Sequence, residues 1–483
     1  MTILAIDQGT TGTTTVLYNK EGRILKKAYR EFTQIYPKPG WVEHDPLEIW
    51  NTVVETVNEV SSAYPDKILA LGLTNQRETT VIWDKKTSLP VYNAIVWQCR
   101  RTASICDSLR EHQDMVKQKT GLPLDAYFSA TKIMWILKNI PDLNISDLLF
   151  GTIDTWLIWK LTNGNVHATD YTNASRTMLY NIFSKNWDSE LLSLFEVPEH
   201  ILPDVKNSCA DFGYIETIPA LKGTRVSGVA GDQQAALFGQ TCFYPGEIKN
   251  TYGTGCFIMM NTGDKPFLSK QGLITTLAVN ELGHPCFALE GSIFIGGAVI
   301  QWLRDELGLV QKASDSEQIA VSVADNNGVY IVPAFVGLGA PHWDMQARGI
   351  IAGLTRGSNK KHLVRAALES MAYQSADVVN IMESESEIPI KELKVDGGAV
   401  ANNFLMQFQS DILNKTILRP IVIESTSLGA AMLAGLNCSF WKNTAELKKT
   451  KTIDTSFTPH METNLRQKLL SGWQHAVRQA KTR

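Results

Sequence analysis

The sequence predicts an α/β protein made of two lobes, and three observations carry that expectation. Each half opens with an apolar strand beside a turn of Gly and Thr. Each half later returns to a strand–loop–helix unit. Strands and helices are mixed throughout, not segregated. The recurrence is a weak internal repeat, visible in organisation and barely in identity. At 483 residues, with about 150 residues per domain as a prior, two or three structural units are expected. No Pro- or Ser-rich linker separates the halves, so a division into 1–245 and 246–483 rests on the repeat alone.

Taken in order, Ile3-Leu4-Ala5-Ile6 reads as a short buried strand and Asp7 to Gly12 as a turn. Thr13 to Tyr18 reads as a second strand, closing a hairpin. A helix starts near Asp45, which suits the N-cap. Pro46 suits the first helical position and Glu48 would complete a capping box. Ile49, Trp50, Val53, Val54, Val57 and Val60 make its apolar face. The strand Ile68 to Leu73 runs into the polar stretch Thr74-Asn-Gln-Arg-Glu-Thr79, and polar residues directly after a buried strand often belong to a site. In the second half, Thr251 to Cys256 is again a Gly/Thr turn beside an apolar run. Leu363 to Met382 reads as a helix, Leu393 to Val395 as a strand, and a further helix follows Asp396-Gly-Gly from about Ala401.

Composition narrows the function classes. The chain is 44% hydrophobic and 20% charged, with a formal net charge of -3, as in an ordinary globular enzyme. It has no basic stripe, so nucleic acid is not an expected partner. Glu446 to Lys451 reads as a solvated face. The 7 cysteines are odd in number and lack zinc-ligand spacing, so reduced thiols in the cytoplasm are expected. The first residues have no basic n-region, and no stretch of about 18 apolar residues predicts a membrane span.

Glycine-rich segments at Asp7–Gly12, Tyr252–Cys256 and Asp396–Asn403 suit phosphate, because glycine lets backbone N–H groups approach the oxygens. Any one of them reads first as a tight turn; three, two beside acidic residues, point to a nucleotide. The absence of a Gly-Lys dipeptide excludes a Walker A loop. Asp211-Phe-Gly213 lacks the companion motifs of a protein kinase and reads as chance. Asp232 stands where an apolar strand meets a small-residue helix. It suits a general base for phosphoryl transfer, and equally a helix cap. Arg77 and Glu78 could bind vicinal hydroxyls, one donating and one accepting, or form a surface ion pair. Trp97 and Phe257 are core residues by default.

Several blocks are more specific. Asp7-Gln-Gly-Thr-Thr11, Gln34 to Asp45, Thr74 to Thr79, Asn93-Ala-Ile-Val-Trp-Gln-Cys-Arg-Arg-Thr102, Gly231-Asp-Gln-Gln-Ala-Ala-Leu-Phe-Gly239, Asn250 to Cys256, Ala334 to Pro341 and Val395 to Asn403 resemble the FGGY carbohydrate kinases. Within that family they resemble the members acting on glycerol. The resemblance runs from residue 3 to about 445. It implies two actin-like (ribonuclease H-like) ATPase lobes around a central cleft, the N-terminal lobe (1–245) carrying polyol and catalytic base and the C-terminal lobe (246–483) the nucleotide. The implied reaction moves the ATP γ-phosphoryl group to glycerol with magnesium present. The resemblance makes Asp232 the catalytic base. Arg77, Glu78, Tyr127, Asp232 and Gln233 become hydroxyl ligands, and Trp97 and Phe257 walls against the carbon chain. Thr10, Thr11 and Gly12 would form the first phosphate loop, Thr254 the second, and Gly297, Gln301, Gly398 and Asn402 further nucleotide contacts. Asp7 would stand near magnesium. A homodimer or homotetramer is implied as well. Thr14 departs from the pattern, since many members carry Arg there, so one phosphate-facing positive charge is missing. The segment Ser208–Tyr214 has no His, which is phosphorylated in some bacterial relatives. Gly223-Thr-Arg225 resembles a loop that binds a sugar bisphosphate inhibitor. Competing readings are a sister kinase acting on another polyol or sugar, and an actin-like nucleotide switch.

Overall fold

The computed structural model describes residues 1–64 and 67–482. The chain forms two compact units. The first comprises Met1–Phe243, Thr275–Ala288 and Ser425–Lys451; the second comprises Tyr244–Ile274, Leu289–Glu424 and Thr452–Arg483. The first crossing lies two residues from 245, but two later segments return to the first unit, which no single boundary describes.

The first unit is built on a sheet ordered Arg225–Gly231, Ile68–Asn75, Thr2–Gln8, Gly12–Tyr18 and Ile24–Glu31. Thr2–Gln8 pairs antiparallel with Gly12–Tyr18 and parallel with Ile68–Asn75, which is parallel to Arg225–Gly231. Alternation along the strands sorts the core onto two faces. Leu4, Ile6, Leu17, Leu71 and Leu73 pack with Ile49, Val53, Val57 and Val60 of the helix Pro46–Ser62. Ile3, Ala5, Val16, Tyr18 and Ala70 pack instead against Leu428 and Ala430–Ala434 of the late helix Ser425–Asn437. That helix also lies against the helix Asp232–Gly239 so closely that a Cβ on Gly429 would overlap the Ala235 carbonyl, and one on Gly239 the Ser425 carbonyl. Only glycine permits such backbone approach.

The helix at Pro46 starts as expected, with Asp45 accepting from Leu47 N. Glu48, however, accepts from the backbone N–H and hydroxyl of Thr33 at 2.9 and 3.0 Å, tying the preceding loop to the helix and not closing a capping box. The turn after the first strand is also shorter than expected. Asp7 and Gln8 belong to that strand and Gly12 to the next.

The second unit repeats the plan. Ile248–Tyr252 pairs antiparallel with Cys256–Gly263 and parallel with Glu392–Asp396, which is parallel to Thr416–Pro420. Each unit therefore has a hairpin beside two parallel strands, the structural form of the weak repeat. The expected helix from Leu363 extends over Lys360–Ser386, capped by Asn359 with His362 closing the box. After Asp396 the chain makes a short 3-10 turn, Gly398–Ala401, before the helix Asn403–Leu413.

Candidate functional site

Strand register places three segments of the first unit together. Gln8 pairs with Asn75, and Asn75 with Gly231, so the chain leaves all three strands at the same end. The Gly9–Thr11 turn, the Gln76–Thr79 segment and Asp232 therefore converge, as ligand-binding residues do at the carboxyl ends of parallel strands. Gln76 stitches two of them: its N–H donates to Gln8 O at 2.7 Å, and its side chain donates to Gln8 Oε1 and accepts from Thr79.

Arg77 and Glu78 are not a surface pair. Each side chain is 2% exposed. Arg77 Nε lies 3.0 Å from Asp232 Oδ1 and 3.9 Å from Glu78 Oε1, while its terminal nitrogen donates to Gln234. Glu78 Oε1 in turn accepts from Nε of the fully buried Arg176 at 2.6 Å. The result is a line of alternating charge, Arg176–Glu78–Arg77–Asp232. Three of its members are buried, and the Asp232 side chain is 30% exposed. Buried charges persist when paired in this way.

Asp232 is the first residue of its helix, and its Oδ1 also accepts from Gln233 N at 2.7 Å. Gly231, not Asp232, is therefore the cap, and Asp232 follows it at the first helical position. Its carboxylate meets the positive end of the helix, and a buried guanidinium fixes its direction while part of it faces solvent. Gln233 is buried beside it.

Trp97 and Tyr127 are half-buried and meet edge to face at 5.5 Å. Trp97 Nε1 donates to Thr10 Oγ1 at 2.9 Å, so this aromatic wall is fixed to the first Gly/Thr turn. Tyr127 is held from behind. Lys132, fully buried, donates to the Tyr127 and Phe128 carbonyls at 2.7 and 2.9 Å. Burial pulls its amine down to about 8, against the opposing attraction of Glu78. Thr11 is exposed, whereas Gly12 is buried and a Cβ there would meet the Tyr29 ring at 2.5 Å. Gly12 thus has a packing role in addition to any place in a phosphate loop. Asp7 is half-buried on its strand, opposite Thr14.

In the second unit, the nucleotide candidates come together. Thr254, Gly297, Gln301, Gly398 and Asn402 line one cavity of about 490 Å³. The Gly253–Thr254 turn is docked onto the next glycine pair, with Gly296 N and Ala298 N donating to Thr254 O and Gly297 N to Gly253 O. A Cβ on Gly398 would meet nothing within 4 Å, so open space faces that position. Ile300, Leu368, Met371 and Leu405 supply apolar walls, and Ser314, Ser316 and Glu317 polar ones. Phe257 is half-buried in the strand Cys256–Gly263 of this unit.

Residues 2–239 match the N-terminal domain, and residues 248–438 the C-terminal domain, of the FGGY family of carbohydrate kinases. The chain belongs to this family. Within it, the chain is 58% identical over 487 residues to a glycerol kinase of Clostridium botulinum (strain 657 / Type Ba4), covering 99% of this chain and 98% of that one. Among solved structures, Plasmodium falciparum glycerol kinase with ADP is similar at 38% identity and a TM-score of 0.94, over 100% of this chain and 98% of that one. Ligand-bound xylulose kinase from Lactobacillus acidophilus is similar in fold at a TM-score of 0.90, with 23% identity over 99% and 98% of the two chains. The fold is thus the actin-like, ribonuclease H-like architecture of FGGY kinases.

Sequence reasoning missed Arg176, Thr172 and Lys132. Each sits in a run of small or hydroxylic residues with no distinctive period, Thr172-Asn-Ala-Ser-Arg176 and Ser129-Ala-Thr-Lys132. The available signal was a lone cation amid such residues, which becomes informative once the pairing of strands is known.

Proposed function

We propose that the protein transfers the γ-phosphoryl group of ATP to a terminal hydroxyl of glycerol, giving sn-glycerol 3-phosphate and ADP. The buried Arg77–Glu78 pair, with Asp232 at 3.0 Å from Arg77, carries this reading. Vicinal hydroxyls are bound by a donor and an acceptor together, and a site built of such groups rejects molecules lacking the hydroxyl. The high identity to glycerol kinases supports glycerol as substrate over longer sugars.

Arg77, Glu78, Tyr127 and Gln233 hold the hydroxyls, and Trp97 with Phe257 covers the C–H groups. Asp232 takes the proton of the attacking hydroxyl as the phosphoryl group arrives. Its contact with Arg77 sets the carboxylate direction, and its partial exposure leaves an oxygen edge for the substrate. Thr10, Thr11 and Gly12 bind phosphate oxygens, as does Thr254. The cavity lined by Gly297, Gln301, Gly398 and Asn402 takes the nucleoside, consistent with the ADP carried by the Plasmodium falciparum relative.

Magnesium fits the residues present. Asp7 offers a half-buried carboxylate near the turn, and no group of three or more metal-ligating side chains occurs among the described residues. Such a donor set suits an ion carried mostly by phosphate oxygens and water. When bound with ATP, the ion supplies charge neutralisation at the β- and γ-phosphates.

We further propose a cytoplasmic homodimer or homotetramer. No helix among the described residues is long and apolar enough to cross a membrane. A sugar bisphosphate is a candidate effector at Gly223-Thr-Arg225, which lines a cavity of about 1170 Å³ with Lys67 and Lys222. The deciding experiment measures ADP formation with magnesium-ATP on glycerol, dihydroxyacetone, xylulose, gluconate and a blank. Saturable turnover strongest on glycerol is expected. Turnover confined to a sugar would move the substrate, and equal turnover in the blank would leave an ATPase. Repeating the glycerol assay with fructose 1,6-bisphosphate tests the effector, and light scattering reads the oligomer.

A further inference from the structure

We infer that Arg176 is a positioning residue for polyol recognition, acting through Glu78 from a short segment that also holds the strand ends behind Arg77 and Asp232. The inference rests on the roles given above to Glu78 and Asp232.

The segment runs from Asp170 to Thr177. Asp170 caps its short helix, accepting from the backbone N–H groups of Thr172 and Asn173 and from the side chains of Thr172, Asn173 and Ser208. Thus fixed, the segment reaches three neighbours. Asn173 and Asn75 exchange side-chain bonds at 3.0 and 3.1 Å, pinning the strand end two residues before Arg77. Thr172 Oγ1 accepts from Gly231 N at 2.8 Å, pinning the residue before Asp232. Arg176 donates to Glu78 at 2.6 Å.

Glu78 needs such a partner for two reasons. It adopts φ of 60°, a left-handed conformation that a long side chain keeps only when its surroundings enforce it. Its carboxylate is 2% exposed, so fixed donors replace the lost water. Arg176 lies 5.3 Å from the Phe128 ring and 5.8 Å from the Tyr127 ring, and no part of its side chain is exposed. The guanidinium brings a permanent charge and several donors beside the rings and the carboxylate, where a lysine ammonium would offer a single point charge. Arg176 lies behind Glu78, so its effect on glycerol passes through the direction in which Glu78 points.

The test compares Arg176→Lys and Arg176→Gln with the unmutated protein, alone and in a Glu78→Gln background, reading KM for glycerol, KM for ATP, kcat and the thermal midpoint. In Arg176→Gln the glycerol KM is expected to rise about 10- to 100-fold, the range of one charge-assisted hydrogen bond. The ATP KM stays within about twofold, and Arg176→Lys falls between. In the Glu78→Gln background, removing Arg176 adds less than about twofold to the glycerol KM, because two residues acting through one contact are not additive. Equal increases in both KM values, or full additivity with Glu78→Gln, would overturn the inference and leave Arg176 as a stabiliser of the unit. If Arg176→Gln does not fold, Arg176→Lys carries the same comparison. Failure of the unmutated protein to turn over glycerol would instead overturn the functional reading, before any variant is considered.

Discussion

The two units use the same plan of hairpin and parallel strands for opposite kinds of site. In the first, the strand ends carry a buried line of charges with side chains fixed by side chains, Arg176 to Glu78 to Arg77 to Asp232. In the second, the corresponding loops carry glycines around a cavity of about 490 Å³ with largely apolar walls. Under the proposed function, the contrast follows from what each unit recognises. A small polyol offers only hydroxyls and C–H groups, so specificity depends on placed charges that substrate hydroxyls complete. A nucleotide is large and presents phosphates, which backbone N–H groups bind, and a flat base, which needs room.

Loss of the Asp232 carboxylate at the charged end should be felt mostly in chemistry. Asp232→Asn is expected to lower kcat by about 10²- to 10⁴-fold, the usual contribution of positioned proton transfer, with both KM values nearly held. Single-turnover kinetics checks this, and near-normal kcat would remove Asp232 from the base role. Changes at the roomy end should be felt in nucleotide binding. Gly398→Leu places a side chain where a Cβ meets nothing within 4 Å. It is expected to raise the ATP KM by about 10-fold or more, the scale of overpacking, while sparing glycerol. If both KM values rose alike, the division of labour between the units would be lost.

Trp97→Ala sharpens the comparison within the first unit. It removes both the wall against Tyr127 and the bond to Thr10. The glycerol KM should rise by roughly 10-fold, or about 1.4 kcal/mol, and the ATP KM by less. Equal effects would mean that Trp97 serves the phosphate turn through Thr10 as much as it serves the polyol.

A separate prediction concerns stability. Asp154 is fully buried near the Asn75–Asn173 pair, and burial, with Asp170 nearby, pushes its carboxyl up to about 7. In the unfolded chain it titrates near 4. Between these values the folded form holds a proton that the unfolded form has lost, so stability falls as pH rises from about 4 to about 7 and levels above it. Asp154→Asn should flatten that slope. Thermal midpoints at pH 5 and pH 8 read the difference, and an unchanged slope would place the titration elsewhere.

How far the sequence disclosed this arrangement depended on the kind of interaction. Apolar periodicity and turn chemistry are local, so Ile3–Ile6, the helix after Asp45 and the Gly/Thr turns were legible. Glu48 shows the limit: its spacing from Asp45 fits a capping box, yet Thr33 captures it across the chain. The charge state of the site was less legible still. Nothing in the adjacent letters of Arg77 and Glu78 separates a surface pair from a buried one. Burial comes from Arg176, 98 residues away, and from register that aligns Gln8, Asn75 and Gly231. The packing role of Gly12 was not legible, because glycine marks turns and close packing alike, and the Tyr29 ring that requires it comes from another strand.

The return of Ser425–Lys451 to the first unit has a consequence for synthesis on the ribosome. One face of the first sheet, Ile3, Ala5, Val16, Tyr18 and Ala70, is covered by residues 428–434. When residues 2–239 have emerged, Ala235 and Phe238 of the same cluster are present, but Leu428 and Ala430–Ala434 are not. At about 5–20 residues per second, roughly 10 to 40 seconds pass before the covering helix is made. A fragment cut at the family-domain boundary therefore keeps part of an apolar sheet face exposed. Until the covering helix is made, the nascent N-terminal half exposes part of an apolar face, the kind of surface that favours aggregation.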